Sequence, residues 1–358
     1  MKELAPTSTC HFMNDLSQPG SVTLIIHPSQ FPSAVSEQLR ESLRTRAMNH
    51  KFHYDTPRQA SAWLRVHEAY SPARRDVGCK EMYATGFAEV AKRFDVATEL
   101  DIVSLGSGGG QKDAKLLGAI LGLNPRVRCR YVPVDVSAGL CIASRAAVME
   151  EGLRAVDCAP LVMDLEAEQN WGEALAEVSR ESVPRVICFF GMLPNCQSER
   201  VFPSLAGILR CGDILLMSAN LAPGPSYRAG IELVRPQYDN PLTRDWLITS
   251  LINVGMDRED GQLSFVTREW PPGSGLLRLE GEFVFDKGRR IHCEGEAFAF
   301  EAGDRFRLFF SYRHTPVIVE ELCRGHGMRV TDSWITAAGD EGLFLVTSAV
   351  SAWGQNEG

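Results

Sequence analysis

Short apolar runs alternate with segments of helical spacing through the middle of the chain. Runs at 101–105, 130–135, 185–190 and 214–218 have the length and composition of buried strands, and a shorter one spans 159–162. Between them, apolar residues recur at helical intervals over 112–122, 138–152, 170–180 and 199–209. Alternating strands and helices predict a parallel sheet with helices on both faces, so the predicted fold class is α/β.

The segment before this alternation has a different pattern. A strand-like run at 22–26 is followed by helical spacing at 33–49, and residues 57–100 are predicted to be helical in two or three pieces. A break is expected at Ser71-Pro72, because the residue before a proline disfavours the helical conformation. Residues 1–95 are therefore predicted to form an N-terminal helical segment.

The pattern changes again after Asn220, where prolines mark loops. A helix is predicted at 241–256, and strand-like runs follow at 262–269, 275–286, 289–300 and 305–313. Turn signals between these runs predict antiparallel pairing. A helix at 315–326 and strands at 328–335 and 342–349 end the pattern.

The predicted organisation is therefore an interrupted α/β core. The core spans 96–221, a β-rich insertion spans 222–312, and a helix with a strand pair at 313–358 completes the core sheet after the interruption.

Charge and cysteine content exclude several classes of partner. The formal net charge is −8 and the sequence pI is about 5.6, opposite to the basic face that nucleic acids require. The ten cysteines are scattered without zinc-ligand spacing, so no metal is expected and a reducing, cytoplasmic location fits. We expect neither a signal peptide nor a membrane span, because the apolar runs are too short. The expected ligand is a small molecule.

A glycine-rich turn, Gly106-Ser107-Gly108-Gly109-Gly110, joins the first convincing buried strand to a helix. Glycines let the backbone turn sharply and approach a ligand without an obstructing Cβ. The N–H groups at the start of the following helix then face that ligand. This arrangement predicts a cofactor site.

Acidic residues end the next two strands. Asp135 ends the second strand, where a carboxylate can accept both ribose hydroxyls of an adenosine. Asp164-Leu165 follows the next short strand, where the carboxylate can meet an adenine amino group and leucine can pack on the ring. Gln111 stands at the sixth position of the G-x-G-x-x-G pattern, which disfavours a dinucleotide-dependent oxidoreductase and favours S-adenosylmethionine as the cofactor.

Two runs, 105–112 (Leu-Gly-Ser-Gly-Gly-Gly-Gln-Lys) and 131–137 (Tyr-Val-Pro-Val-Asp-Val-Ser), resemble the histidine-specific S-adenosylmethionine-dependent methyltransferase family. Its best-known members trimethylate the α-amine of histidine in ergothioneine biosynthesis, and a related fungal branch N-methylates dimethylallyltryptophan. The resemblance extends over most of the chain from about residue 50. It implies a class I methyltransferase sheet of the Rossmann-like type, with a β-rich insertion that covers the active site and an N-terminal helical segment that contributes to it.

The resemblance also implies roles for individual residues in cofactor binding. Gly106, Ser107 and Gly108 would hold the methionine part of S-adenosylmethionine together with Lys112. Asp135 would hold the ribose, and Asp164 with Leu165 would hold the adenine.

Substrate residues follow from the same resemblance. Asn195 is similar to the asparagine that hydrogen-bonds the substrate amine, and Tyr238 to the tyrosine that grips the carboxylate. Tyr70 is similar to a tyrosine near the amine, so Tyr70 and Asn195 are the expected catalytic residues, with Tyr54 as a further substrate contact.

The departure from the family lies in the stretch 309–313, where a glutamate and a serine of the family bind imidazole. Ser311 is kept, but Phe309 stands in place of the glutamate and cannot accept a hydrogen bond. An aromatic or apolar substrate side chain is therefore expected as an alternative to histidine.

The predicted function is S-adenosylmethionine-dependent N-methylation of a free amino acid or an amino-acid-derived small molecule. Three alternatives remain open at the level of sequence: methylation of another nucleophile on a small metabolite, a catalytically silent cofactor-binding protein, and a dinucleotide-dependent oxidoreductase. The oligomeric state is not indicated.

Overall fold

The computed structural model describes residues 22–154, 156–224 and 226–349. The predictions for 1–21 and for 350–358 lie outside the described residues, as does the loop marker Pro225.

The described chain contains fourteen strands and eleven α-helices. The strands are β1 (Ile25–Ile26), β2 (Glu99–Leu105), β3 (Arg128–Asp135), β4 (Asp157–Cys158), β5 (Leu161–Val162), β6 (Arg185–Phe189), β7 (Ile214–Asn220), β8 (Gly261–Glu269), β9 (Leu277–Phe285), β10 (Arg289–Cys293), β11 (Glu296–Phe300), β12 (Arg305–Tyr312), β13 (Met328–Ile335) and β14 (Glu341–Ser348). The helices are α1 (Pro32–Thr45), α2 (Pro57–Tyr70), α3 (Pro72–Arg75), α4 (Val77–Lys92), α5 (Gln111–Leu123), α6 (Ala138–Glu150), α7 (Trp171–Ala176), α8 (Ser198–Ile208), α9 (Tyr227–Val234), α10 (Pro241–Asn253) and α11 (Pro316–Gly325).

The large sheet has the order β1-β5-β3-β2-β6-β7-β14-β13, with β4 paired to β3. Its strands are parallel up to β7, and β14 then inserts antiparallel between β7 and β13. The C-terminal strand pair therefore completes the sheet that the first half of the chain begins. This topology confirms the predicted α/β class and the class I methyltransferase sheet.

Two hydrophobic cores lie on opposite faces of this sheet because side chains alternate along a strand. In β2, Val103 and Leu105 belong to one core, which also contains residues of α8. Leu100 and Ile102 belong to the other, which also contains residues of α4 and α5. Both faces are buried, which explains why the strands read as continuous apolar runs in the sequence.

Helix α2 ends where the sequence predicts, whereas α1 ends at Thr45, short of the predicted 49, because Arg46 adopts a left-handed conformation. Helix α2 begins at a Thr56 side-chain cap on the Gln59 N–H and ends at Tyr70, just before Ser71-Pro72. Helices α3 and α4 follow, so the predicted break at Ser71-Pro72 is confirmed, and the segment predicted as two or three helical pieces forms three. No helix in the described ranges is long and apolar enough to cross a membrane.

The insertion contains a three-stranded antiparallel sheet in the order β12-β9-β8 and a separate β10-β11 hairpin. The prediction of one strand over 289–300 is wrong, because Glu294 and Gly295 have positive φ values of 51° and 82° and turn the chain back. Helix α9 was not predicted, because the prolines around it indicated only loops.

The insertion shares its core with the N-terminal segment. Leu43 and Phe52 pack in the same cluster as Trp246, Phe283 and Phe306. The N-terminal segment and the insertion are thus held together over the carboxyl ends of the core strands. The domain boundaries drawn from the sequence stay a prediction.

Candidate active site

A cavity of about 300 Å³ lies at the carboxyl ends of the parallel strands. Its walls include the residues that follow β2, β3, β5, β6 and β7, which end at the same edge of the sheet. Residues of α2 and of the insertion close the opposite side. Ligands of open α/β sheets bind at this edge, so the cavity is the candidate active site.

The glycine loop forms one wall of the cavity. Gly106, Gly108 and Gly110 have φ values of 69°, 56° and 71°, in the left-handed region that favours glycine. A Cβ on Gly110 would lie 2.5 Å from Cα of Ser144, so α6 packs directly against the loop. Helix α5 starts after Gly110 with no side-chain cap, which leaves N–H groups of its first turn available to a ligand.

Asp135 ties the loop to the end of β3. Its Oδ2 accepts the Gly108 N–H at 3.0 Å and its Oδ1 accepts the Ser137 N–H at 3.0 Å. Burial raises the pKa of Asp135 to about 6, and these backbone hydrogen bonds act in the opposite direction. Each carboxylate oxygen keeps a second lone pair on the cavity side, which is the capacity that two ribose hydroxyls need.

Asp164 has a similar arrangement farther along the cavity. Its Oδ1 accepts the N–H groups of Glu166 and Ala167 at 3.0 Å and 3.1 Å. Its Oδ2 is buried and accepts no hydrogen bond from the described residues, and it lies 3.5 Å from Nζ of Lys51. Leu165 is buried beside it in the cavity wall. A carboxylate oxygen that accepts no hydrogen bond from the described residues, next to an apolar side chain, fits an adenine amino group and ring.

Lys112 belongs to a buried cluster at the loop end of the cavity. Its Nζ lies 2.5 Å from Oη of Tyr83 and 3.2 Å from Oε1 of Glu341. The Tyr83 hydroxyl also donates to Glu341. Burial acts to raise the pKa of Glu341, but Lys112 and the Tyr83 hydroxyl outweigh it and the pKa is lowered. A cation and an anion side by side fit the charged carboxylate and amine of a methionine moiety.

Among the predicted substrate residues, Tyr54, Tyr70, Asn195, Tyr238 and Phe309 all line this cavity. Asn195 ends a single 3-10 turn after β6. Its Nδ2 donates to the carbonyl of Gly191 at 3.3 Å, while its Oδ1 is buried without a hydrogen-bond donor among the described residues. Tyr70 lies at the end of α2, and burial raises the pKa of Tyr54.

The Tyr238 hydroxyl is the centre of a polar group. Its oxygen accepts N–H groups from Asn220 at 3.2 Å and from Arg313 at 2.8 Å, and it lies 3.0 Å from Oγ of Ser311. Ser311 is fully buried and is not among the residues that form the cavity wall. The structure therefore places Ser311 behind Tyr238.

Aromatic rings form the wall at the insertion side. Phe309 stacks on His50 with ring centroids 5.3 Å apart and lies 5.8 Å and 6.0 Å from the rings of Tyr238 and Trp246. His50 Nε2 accepts the Phe310 N–H at 3.2 Å, and burial lowers the pKa of His50 well below its ordinary value. This wall is therefore uncharged at neutral pH.

Several wall residues were not predicted from the sequence, among them His50, Lys51, Trp63, Trp246 and Glu341. His50 and Lys51 lie close to Tyr54 in sequence, which is the one signal that pointed toward them. Glu341 lies far along the chain from Lys112 and reaches it only because β14 inserts beside β7.

Comparison with solved structures returns methyltransferases at low similarity. A mitomycin 7-O-methyltransferase has 16% identity and a TM-score of 0.40, with 89% of this chain and 69% of that chain covered. The magnesium protoporphyrin IX methyltransferase of Synechocystis PCC 6803, with bound S-adenosylhomocysteine, has 11% identity and a TM-score of 0.41, with 83% and 96% covered. These likenesses are too weak to carry an argument about the active site. A search of curated proteins found no matching sequence.

The family comparison is more specific. The family described as histidine-specific, S-adenosylmethionine-dependent methyltransferases matches residues 33–228, which is more than half of the chain. The matched range includes the glycine loop, Asp135, Asp164 and Asn195. The chain belongs to the histidine-specific, S-adenosylmethionine-dependent methyltransferase family and is an S-adenosylmethionine-dependent methyltransferase.

Proposed function

We propose that this enzyme methylates the amine of a free amino acid or an amino-acid-derived small molecule. The observation that carries the proposal is a single cavity that joins the cofactor loop to Asn195, Tyr238 and the aromatic wall at Phe309. A substrate held at that wall would present its amine to a cofactor held at the loop.

S-adenosylmethionine supplies a methyl group on a sulfonium that is already a good leaving group. The substrate ammonium would first lose a proton to water; the neutral nitrogen would then bond to the methyl carbon while the carbon–sulfur pair returns to sulfur, giving the methylated ammonium. The protein's contribution is to hold the nitrogen close and aligned. No strong general base is required.

Asn195 and Tyr70 are the proposed residues for positioning the amine. The unpartnered Oδ1 of Asn195 can accept an N–H of the substrate, which directs the nitrogen lone pair away from the asparagine. Tyr70 and Tyr54 line the same part of the cavity. A buried, apolar setting also disfavours the protonated amine and so favours the reactive neutral form.

The aromatic wall supports a substrate with an aromatic or apolar side chain. Phe309, Trp246 and the neutral His50 offer ring faces and no carboxylate. Aromatic faces near the amine would also attract a growing quaternary ammonium. Histidine is also a candidate substrate, because His50 provides a polar ring at this wall.

The test is product analysis with isotope-labelled cofactor. The enzyme is incubated with methyl-labelled S-adenosylmethionine and a panel of L-amino acids or a metabolite extract, and the labelled product is identified by mass spectrometry. We expect an N-methylated amino acid or derivative. Asp135→Ala is the control for cofactor dependence, and a label on oxygen, sulfur or carbon, or no labelled product at all, contradicts the proposal.

We further propose that the enzyme works in the cytoplasm on a diffusible small molecule. Buried cysteines such as Cys188 and Cys323 pack as small hydrophobes, which fits a reducing compartment. Fractionation of cells that express the tagged protein would test this.

A further inference from the structure

Arg313 is a fully buried cation at the substrate end of the site. Its side chain is among the largest that are buried, with 2% of the residue exposed. Its Nη2 donates to the Tyr238 hydroxyl at 2.8 Å, and the guanidinium lies 5.2 Å from the centre of the Tyr238 ring. Longer contacts reach the carbonyl of Leu221 at 3.4 Å and Oε1 of Gln237 at 3.5 Å.

Arg313 differs from the other buried cations of the described chain. Lys51 faces Asp164, Arg185 faces Asp213 and Arg278 faces Glu280, so each of them has a carboxylate partner. Among the described residues no carboxylate lies within ion-pairing distance of Arg313, and its Nε has no hydrogen-bond partner. A buried charge without a counterion is costly, so a missing anion is the simplest explanation.

Cavity geometry indicates where that anion would lie. Gln237, Tyr238 and Asn220 all contact or adjoin the Arg313 group and also line the cavity. The Tyr238 oxygen already accepts from Asn220 and Arg313, so its own hydrogen is left to donate. Either hydroxyl of the Tyr238–Ser311 pair can be the donor, and a substrate anion in the cavity offers the Tyr238 hydroxyl a charged acceptor.

We propose that Arg313 is a positioning residue that makes the enzyme require a free carboxylate on its substrate. It acts through Tyr238, by holding the hydroxyl as a donor and by adding a positive charge behind it. The inference rests on the proposed function and deepens it. An enzyme with this requirement methylates amino acids in preference to their amides and to the corresponding decarboxylated amines.

The first test compares acids with amides. Wild type, Arg313→Met and Arg313→Lys are assayed with L-phenylalanine, L-tyrosine, L-tryptophan and L-histidine and with the amide of each. One charge at about 5 Å in a partly buried site corresponds to a preference of about 100-fold in kcat/KM for the acid. We expect Arg313→Met to lose most of that preference through a raised KM for the acid, and Arg313→Lys to keep part of the preference.

Thermal stability provides a second readout, which separates this role from a structural one. Removing an uncompensated buried charge should leave the melting temperature of ligand-free protein unchanged or raised in Arg313→Met. Arg185→Met is the matched control, because it takes one of two arginine partners from the buried Asp213 carboxylate, leaving only Arg210, and should lower the melting temperature. The inference is overturned if the melting temperature of Arg313→Met falls as far as that of Arg185→Met while the preference for the acid over the amide is retained.

The outcomes also distinguish this inference from the proposed function. If the wild type methylates acids and amides equally well, the role of Arg313 is wrong and the N-methyltransferase activity stands. If it methylates no amine in the panel or in a metabolite extract, both proposals are overturned.

Discussion

Replacing Gly108 by alanine would test whether the glycine loop forms the cofactor site. Gly108 has a φ of 56°, where alanine is strained by about 1 kcal/mol. The added Cβ would lie 2.6 Å from the Trp63 ring, well inside the usual carbon–carbon contact of about 3.5 Å. Trp63 is confined by His67, whose ring stacks on it at 5.1 Å, and by Tyr54 at 5.8 Å. The loop itself must therefore move by about 1 Å.

That movement breaks a specific hydrogen bond. The Gly108 N–H lies 3.0 Å from Oδ2 of Asp135, and a shift of about 1 Å takes it out of range. Losing a hydrogen bond to a charged group costs about 1.5–3 kcal/mol, which gives about 2.5–4 kcal/mol with the backbone strain included. Every 1.4 kcal/mol corresponds to a factor of ten, so we expect affinity for S-adenosylhomocysteine to fall by about 100-fold or more.

The assay is calorimetric titration of S-adenosylhomocysteine, together with a thermal melt. Gly118→Ala is the matched control, because Gly118 lies within α5 and its added Cβ meets no atom of the described chain within 4 Å. This control should gain about 1 kcal/mol of stability and bind the cofactor product normally. Wild-type affinity in Gly108→Ala would refute the placement of the cofactor against this loop.

Three further predictions concern the other walls of the cavity. Affinity for S-adenosylhomocysteine should rise between about pH 5 and pH 7, because the ionised Asp135 accepts the ribose hydroxyls and burial raises its pKa to about 6. The same pKa shift, from an ordinary 3.8 to about 6, means that the protein should lose roughly 3 kcal/mol of unfolding free energy as pH rises from about 4 to about 6, because the folded state holds the proton more tightly than the unfolded chain. Calorimetry and melts across pH should show both effects weakened in Asp135→Asn. Tyr238→Phe removes a hydroxyl that contacts Asn220, Ser311 and Arg313. We expect the KM for an amino acid to rise by about 10- to 100-fold with little change in kcat. An unchanged KM argues against binding of the substrate carboxylate by Tyr238. Phe309→Glu buries a carboxylate among aromatic rings, so a melt should show the free energy of unfolding lowered by about 2–4 kcal/mol. The new carboxylate can accept a hydrogen bond from imidazole, so activity on L-histidine should rise relative to activity on L-phenylalanine. An unaltered ratio of these two activities means that Phe309 does not face the substrate side chain.

The core sheet was predictable because its signals are local. Each parallel strand is buried on both faces, so it reads as an apolar run, and the helices between strands show their own period. The break at Ser71-Pro72 was equally local, because proline acts on the residue before it. The hairpin turn at Glu294-Gly295 was missed because strand-like apolar residues stand on both sides of it and a single glycine is a weak signal.

The sequence by itself determined the cofactor loop, because positive φ values and a following helix need glycines that are adjacent in the chain. It also placed acidic residues at the strand ends, and the family resemblance supplied the residues that we propose to surround the amine. Only the tertiary structure decided how the distant charges pair. The Lys112–Glu341 contact exists because β14 inserts beside β7, and the Lys51–Asp164 contact because the N-terminal segment covers the sheet edge. Arg313 has no carboxylate partner among the described residues for the same kind of reason, since pairing depends on which strands and loops converge in space and not on spacing along the chain.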